Sequence, residues 1–244
     1  MNVAADARIR FDACADEAAW VARAVEVIGD ALRHALERGD RARLLLSGGS
    51  TPVPVHASLG GTDLDWSRVD ISLVDERDVG ADDAGSNARL VRESLVAALA
   101  ARGKPAVFHP LRERAAAVVD AVAAANADAR VDPSGAVIVL GMGDDGHTAS
   151  LFPGSVDLAR VLVDPRPYAS LDASGCVGAG RWPSRLTLTR RGLDAASARI
   201  LLLRGDGKRA VFERALAAGP REVLPIRYLI DAPGPALDVV WCRD

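Results

Sequence analysis

The feature that most constrains the fold of this chain is a short apolar run that occurs four times, each time followed by glycine-rich or charged turn residues. The four runs are residues 44–46, 69–74, 136–140 and 200–203. Each run is too short for a buried helix and is bounded by turn residues, so we predict that each is a strand. Strands that are apolar on both faces are typical of parallel sheets that helices cover on both sides.

Patterns typical of amphipathic helices separate the four runs. In residues 16–36 apolar side chains recur every three or four positions, with Asp16 placed to cap the first turn and Gly39 to end the helix. Similar patterns cover residues 86–101, 113–127 and 206–218. Strands that alternate with helices predict an α/β fold, here a Rossmann-like, mostly parallel sheet with helices on both faces.

One segment, residues 161–189, interrupts the alternation. Prolines and glycines surround a strand-like pattern at residues 185–189, and we expect a small flap or subdomain there. The length of 244 residues permits one large domain or two small ones. We expect residues 1–244 to form a single α/β domain.

The formal net charge of −3 limits the classes of partner that the chain can have. Such a chain has no overall positive field to hold a nucleic-acid backbone or an anionic membrane surface. We therefore expect a small-molecule substrate, no nucleic acid and no membrane, and we predict no particular oligomeric state.

The cysteines and the apolar runs bear on the compartment. Cys14, Cys176 and Cys242 form no C-x-x-C or Cys/His ligand spacing, and we predict that they are buried thiols of a reducing compartment. The first eight residues do not resemble a signal peptide, and no apolar run approaches the roughly 18–20 residues that cross a bilayer. We therefore expect a cytoplasmic chain.

Polar residues follow each predicted strand at its carboxyl end. Because ligands of open α/β sheets bind at that edge, we expect these clusters to line one cleft. The first cluster has exposed backbone N–H groups, hydroxyls and glycines that allow close approach, so it is either a phosphate-binding loop or an ordinary strand-to-helix turn. It consists of Ser47, Gly48, Gly49, Ser50 and Thr51. Residues 48–52 miss the last glycine of a nucleophile elbow, and no Walker lysine follows them.

Residues 141–146 match the pattern G-x-G-x-x-G after a strand. Asp144 and Asp145 argue against a dinucleotide-binding loop, because their charges would repel a pyrophosphate there. His147 follows Asp145 by two residues, so we predict a general base whose tautomer the carboxylate controls. A metal site of Asp144, Asp145 and His147 is the alternative, but it has few ligands. The remaining histidines lack comparable neighbours and are predicted to lie at the surface or in helix packing; they are His34, His56 and His109.

Charged residues also follow the second and fourth runs. The triplet Asp75-Glu76-Arg77 either forms a structural ion cluster or lines the cleft. Lys208 opens a predicted helix, where a cation opposes the helix dipole unless it binds an anion. Because it is one of only two lysines in the chain, we predict a phosphate contact. Arg185 is either a solvated residue or a second anion contact.

Taken together these segments resemble the 6-phosphogluconolactonase family of the pentose phosphate pathway, which is related to the glucosamine-6-phosphate deaminases. Three segments look like motifs of that family in order and spacing: LSGGSTP at 46–52, Asp75-Glu76-Arg77 with Ser86-Asn87, and GMGDDGHTASLFPG at 141–154. Residues 183–189 and 205–208 extend the resemblance over nearly the whole chain. Residues 230–235 depart from the paired alanines of the family, and residues 175–180 are unusually rich in glycine.

The resemblance implies hydrolysis of 6-phospho-D-glucono-1,5-lactone to 6-phosphogluconate, independent of metal and without an organic cofactor. His147 would take a proton from the attacking water, Asp145 would orient the imidazole, and Arg77 would offset charge on the oxyanion. The residues implied in substrate binding are Ser47, Gly48, Gly49, Ser50, Thr51, Asp75, Arg185 and Lys208.

Two other functions are alternatives. An isomerase or deaminase of an amino-sugar phosphate would use the same cleft, but its relatives carry an Asn-Glu-Pro-like sequence soon after the histidine, where this chain has SLFP at 150–153. A non-catalytic sugar-phosphate sensor would share the phosphate loop without needing His147. Such a sensor normally adjoins a DNA-binding segment, and no basic helix-turn-helix pattern precedes Leu44.

Overall fold

The central element is a seven-stranded sheet in which every neighbouring pair of strands is parallel. The computed structural model describes residues 8–112 and 117–244. The strands are β1 (Ile9–Cys14), β2 (Ala42–Leu46), β3 (Val69–Leu73), β4 (Asp75–Arg77), β5 (Val107–Phe108), β6 (Val137–Leu140), β7 (Tyr168–Asp172), β8 (Ser184–Leu188), β9 (Ala198–Arg204) and β10 (Leu237–Cys242). The order in the large sheet is β1-β10-β9-β6-β2-β3-β5.

The four apolar runs are the four adjacent strands β9, β6, β2 and β3 at the middle of this sheet. Nearly all of their residues are buried, because helices cover both faces. The prediction of an α/β fold with a mostly parallel sheet is therefore confirmed. The outer strands were not predicted, since β1 and β10 mix polar residues into their apolar pattern and β5 has only two residues.

The predicted helices are present. The helices are α1 (Glu17–Arg38), α2 (Val53–Leu59), α3 (Asn87–Val91), α4 (Ala97–Ala100), α5 (Val118–Ala127), α6 (Leu158–Val163), α7 (Arg190–Asp194), α8 (Asp206–Leu216) and α9 (Ile226–Ile230). Asp16 caps α1 by accepting a hydrogen bond of 2.8 Å from the Ala19 N–H. Gly39 ends α1 in an extended conformation, with φ −155°. A π-helical turn at Arg92–Val96 joins α3 to α4, and part of the pattern at 113–127, residues 113–116, lies outside the described residues.

The segment 161–189 contributes to a second, three-stranded antiparallel sheet of order β4-β8-β7. This confirms the expected small flap or subdomain. The sheet is attached at the carboxyl end of β3, because β4 begins only two residues after β3 ends. The buried Tyr168 also ties β7 to the large sheet, with its hydroxyl 3.1 Å from the Leu73 carbonyl.

The cysteines match the prediction only in part. Cys242 is buried, whereas Cys14 and Cys176 are half-buried, and all three are free thiols. They differ because β1 lies at the edge of the sheet and Cys176 lies in the loop that joins β7 to β8. No helix within the described ranges is long and apolar enough to span a bilayer.

Candidate active site

A cleft of about 290 Å³ opens at the carboxyl ends of β2, β3, β6 and β9. β2 and β6 are neighbours in the sheet, but the chain runs outward from β2 to β3 in one direction and from β6 to β9 in the other. The cleft therefore lies where the strand order reverses, which is where open α/β sheets bind ligands. The predicted residues among its lining are Ser47, Gly48, Gly49, Ser50, Thr51, Asp75, Arg77, His147, Arg185 and Lys208. The prediction that the polar clusters converge on one cleft is therefore confirmed, whereas their chemical roles stay predictions.

The loop 47–51 and Lys208 both line the cleft. The loop leaves β2 with the Ser47 N–H bonded to the Val139 carbonyl at 2.9 Å, and Gly49 takes a positive φ of 91°, which favours glycine. Lys208 is the third residue of α8 and makes no hydrogen bond or ion pair within the described ranges. Together with Ser50 and Thr51 it also lines a neighbouring depression. An unpaired ammonium beside a loop of this kind is suited to an anion.

His147 also lines the cleft and is paired with Asp145. Nδ1 of His147 is 2.5 Å from Oδ1 of Asp145, and the His147 backbone N–H donates to the same oxygen at 3.1 Å. Burial opposes ionisation of Asp145, but its hydrogen bonds with His147 outweigh that effect and lower the pKa of the carboxyl. An ionised Asp145 holds the proton of the imidazole on Nδ1. Nε2 then carries the lone pair, and it has no protein partner in the part of the chain that the structure describes.

Two glycines leave room for this pair. A Cβ on Gly143 would lie 2.2 Å from Nδ1 of His147, and a Cβ on Gly178 would lie 2.5 Å from Oδ2 of Asp145. Phe152 supports the opposite side of the imidazole, with ring centroids 4.4 Å apart. The ring of His147 is therefore confined between the loop after β6 and the loop 173–183, which joins β7 to β8.

Arg77 and Arg185 are direct cross-strand partners in β4 and β8, and both line the cleft. Like charges placed opposite each other in a sheet are unfavourable unless an anion lies between them. Nη1 of Arg77 donates to the Gly85 carbonyl at 2.5 Å, while its Nε is buried without a partner. This arrangement leaves Arg77 a free donor for charge that develops in the cleft.

Arg185 is buried, although the sequence allowed a solvated residue. Its Nε and Nη2 donate to the carbonyls of Trp182 and Ala179 at 2.7 and 2.9 Å, which ties the loop 173–183 to β8. Its guanidinium lies 5.2 Å from the centre of the Phe152 ring. Burial lowers the pKa of Arg185 to about 10, so the side chain is charged at neutral pH.

The side chains of Asp75 and Glu76 contact different parts of the structure. Oδ2 of Asp75 accepts a hydrogen bond of 2.6 Å from the buried Ser150 hydroxyl, and Asp75 lines the cleft. The fully buried Glu76 accepts from the backbone N–H groups of Asn87 and Ala88, both at 2.7 Å. Of the triplet after β3, Asp75 and Arg77 therefore face the cleft, and Glu76 holds the start of α3.

Sequence reasoning missed three neighbours of the site: Asn87, Phe152 and Gly178. Asn87 and Phe152 stand inside segments that had been recognised, but nothing in their spacing indicated contact with the cleft. Gly178 belongs to the glycine-rich stretch 175–180, whose composition alone does not indicate a contact with the site. Gly178 and Asn87 meet the site across long stretches of sequence, whereas Phe152 lies only five residues after the His147 ring that it contacts.

The alternative metal site is not assembled. Asp144 is exposed and lines the depression beside Lys208, away from the pair formed by Asp145 and His147. Within the described ranges no group of three or more His, Cys, Asp or Glu side chains is placed to hold a metal ion.

Of the other three histidines, His109 differs from the prediction. His34 is exposed and His56 is buried in helix packing, as predicted. His109, in contrast, has a carboxylate neighbour, since its Nε2 lies 2.9 Å from Asp70. The sequence could not show this contact because the two residues are 39 positions apart and meet only when β3 and β5 pair. Asp70 is the second residue of β3, away from the carboxyl-end cleft.

Comparison with known proteins gives one consistent result. The family model of glucosamine-6-phosphate isomerases/6-phosphogluconolactonase matches residues 15–241. The chain is 44% identical over 237 residues to a 6-phosphogluconolactonase of Xylella fastidiosa strain Temecula1, covering 97% of this chain and 98% of the relative. It is 39% identical over 219 residues to one of Rhizobium meliloti, covering 88% and 90%. A crystal structure of a 6-phosphogluconolactonase from Shewanella baltica matches with a TM-score of 0.83 and 31% identity, covering 95% of this chain and 97% of that one.

Proposed function

The chain belongs to the family of glucosamine-6-phosphate isomerases and 6-phosphogluconolactonases, and from this membership we propose that it hydrolyses 6-phospho-D-glucono-1,5-lactone to 6-phosphogluconate with His147 as general base. Its relatives at 39% and 44% identity are lactone hydrolases, and it is an enzyme of that class. The pathway that we propose is the oxidative pentose phosphate pathway.

The observation that carries the proposal is the pairing of Asp145 with Nδ1 of His147 at 2.5 Å, beside a cleft that the loop 47–51 and Lys208 also line. A phosphate bound by the loop and Lys208 would leave the remainder of the substrate in the same cleft as His147. Because the loop 47–51, Lys208 and His147 all line this one cleft, it is suited to a small phosphorylated substrate.

In the proposed mechanism Nε2 of His147 takes a proton from a water molecule, and the resulting hydroxide attacks the lactone carbonyl. Asp145 stabilises the imidazolium, and Arg77 stabilises the negative charge on the carbonyl oxygen. When the tetrahedral intermediate collapses, the bond from the carbonyl carbon to the ring oxygen breaks, and the ring oxygen takes the proton from Nε2. The new carboxylic acid then loses its own proton to solvent.

The site supports lactone hydrolysis better than isomerisation or deamination. Residues 150–153 contain no carboxylate. Ser150 bonds to Asp75, and Leu151 is fully buried, so neither supplies a further acid or base at the cleft. A sensor without catalysis would have no use for the tightly fitted pair of Asp145 and His147. We further propose a cytoplasmic location, in keeping with the three free thiols, and a single catalytic domain over residues 1–244.

The test is a coupled assay. Glucose-6-phosphate dehydrogenase generates the lactone in situ, and its disappearance is followed with and without this protein, after subtraction of spontaneous hydrolysis. We expect acceleration of lactone loss with 6-phosphogluconate as the product. Glucosamine 6-phosphate is tested in parallel for release of ammonia, and ammonia release without lactone hydrolysis would contradict the proposal.

A further inference from the structure

Asn87 is a buried residue with one unused hydrogen-bonding atom at the cleft. Only 2% of its surface is exposed, and it lines the cleft beside the phosphate loop. Its Nδ2 donates to the Asp75 carbonyl at 2.9 Å, but its Oδ1 is buried without a partner. A buried acceptor without a donor costs free energy, so this oxygen is suited to bind a donor from a ligand.

The orientation of this amide is determined by its surroundings. Glu76 accepts a hydrogen bond of 2.7 Å from the Asn87 backbone N–H, which holds the start of α3 in place. The bond from Nδ2 to Asp75 then directs Oδ1 to the opposite side, towards Gly48. A Cβ on Gly48 would lie only 1.8 Å from Oδ1, so glycine at this position makes room for the amide.

The chemistry of Oδ1 differs from that of the groups proposed to bind phosphate. The loop 47–51 and Lys208 present N–H donors and positive charge, which suit phosphate oxygens. An amide oxygen only accepts hydrogen bonds, and a phosphate oxygen has no proton to donate to it. A sugar hydroxyl has such a proton.

We propose that Oδ1 of Asn87 accepts a hydrogen bond from one ring hydroxyl of the phosphorylated sugar lactone and so sets the orientation of the ring between the phosphate loop and His147. This inference rests on the proposed function. Asn87 is a specificity-determining residue in this scheme, because it binds a hydroxyl at one position of the ring. The loop 47–51 and Lys208 bind the phosphate.

The test compares the parent lactone with the 2-deoxy, 3-deoxy and 4-deoxy lactones, prepared by oxidation of the deoxy sugar phosphates. kcat/KM is measured for the wild type and for Asn87→Ala. For one of the deoxy lactones we expect kcat/KM of the wild type to be roughly 10- to 100-fold lower than for the parent lactone, because the buried acceptor is left without its donor. On the parent lactone, kcat/KM of Asn87→Ala should be lower than that of the wild type by a similar factor. Removing the same hydroxyl from the substrate should then lower kcat/KM of Asn87→Ala by less than about a further twofold. Additive losses with all three deoxy lactones would overturn the proposal.

Two further variants guard against a purely structural effect. Asn87→Ser keeps a hydroxyl near the Asp75 carbonyl without an acceptor beside Gly48, and it carries the same test if Asn87→Ala does not fold. Asn126→Ala is the matched control, because both ends of the Asn126 amide bond within the protein: Nδ2 to the Tyr168 carbonyl and Oδ1 to the Tyr168 N–H, both at 2.9 Å. It should lower Tm but leave the ratio of rates between parent and deoxy lactones unchanged.

A binding measurement separates this inference from the proposed function. The affinities of 6-phosphogluconate and its deoxy analogues are measured by calorimetry for the wild type and Asn87→Ala. Discrimination that disappears in Asn87→Ala, in a protein without lactonase activity, would support hydroxyl recognition and contradict the proposed reaction. Lactonase activity with no discrimination in rate or binding would contradict the role of Asn87 alone.

Discussion

Asp145 accepts hydrogen bonds from both the ring and the backbone of His147, at 2.5 and 3.1 Å. The chain turns back between them at Gly146, whose φ is 79°. A Cβ on Gly146 would lie 2.6 Å from the Leu224 side chain, so the turn is also packed against the segment that leads into α9. The carboxylate therefore determines the tautomer of the imidazole within a single local turn.

The first prediction concerns this imidazole. His147→Asn should lower kcat by roughly 10²- to 10⁴-fold, because asparagine keeps polarity and approximate size but has no basic nitrogen. Binding of 6-phosphogluconate, measured by calorimetry, should be retained.

The exposed His34 provides the control, and His34→Asn should leave the rate unchanged. If His147→Asn hydrolyses the lactone at nearly the wild-type rate while it still binds product, His147 is only structural. Asp75 is then the next candidate for the base.

Lys208→Ala should mainly weaken capture of the phosphorylated lactone. A charge-assisted contact is worth roughly 1.5–3 kcal/mol, so kcat/KM should fall at least about tenfold. Inorganic phosphate should compete with substrate less effectively in this variant. The other lysine is a matched control: Lys104 donates to the Thr62 carbonyl outside the cleft, and Lys104→Ala should keep the wild-type inhibition by phosphate. Equal inhibition of wild type and Lys208→Ala would remove Lys208 from the phosphate site.

Activity should survive EDTA, because the proposed base is an imidazole that Asp145 orients directly. The rate of lactone loss is measured before and after dialysis against the chelator, and again after addition of divalent ions. Activity that disappears with EDTA and returns with one of these ions would favour the alternative metal site of Asp144, Asp145 and His147.

Gly178→Ala should lower kcat, because the new methyl group would lie 2.5 Å from Oδ2 of Asp145 and 2.8 Å from Nδ1 of His147. Either the pair or the loop 173–183 must move. Gly80→Ala is the control, since a Cβ there would have open space. Thermal unfolding shows whether both variants keep the fold. Unchanged kcat in Gly178→Ala would mean that the loop 173–183 moves without disturbing Asp145 and His147.

The buried His56 should make folding stability depend on pH. Burial lowers its pKa from 6.5 to about 4, so the unfolded chain binds a proton in this range and the folded chain does not. The contribution is complete above pH ~6.5 and is lost as the pH falls towards 4, by about 3 kcal/mol at most. Urea unfolding at pH 7 and pH 5 is compared for wild type and His56→Leu. An equal loss in both proteins would assign the acid sensitivity to other groups.

Much of the site could be predicted because its chemistry follows local patterns. The apolar runs became the central strands, and the groups directly after them, such as Ser47 to Thr51 and Lys208, had to meet because parallel strands end at one edge. The pair of Asp145 and His147 lies within a single turn, so its spacing was readable in the sequence.

Other features depend on register between distant segments. Arg77 and Arg185 face each other only because β4 pairs with β8, more than 100 residues later in the chain. The placement of Gly178 over Asp145, the contact of His109 with Asp70 and the free amide oxygen of Asn87 arise in the same way. The four central strands and the chemical groups that follow them could therefore be predicted, because hydrophobic periodicity and turn residues act over a few positions. Only the tertiary structure decided which of those groups touch, because burial and strand pairing join residues that no local pattern links.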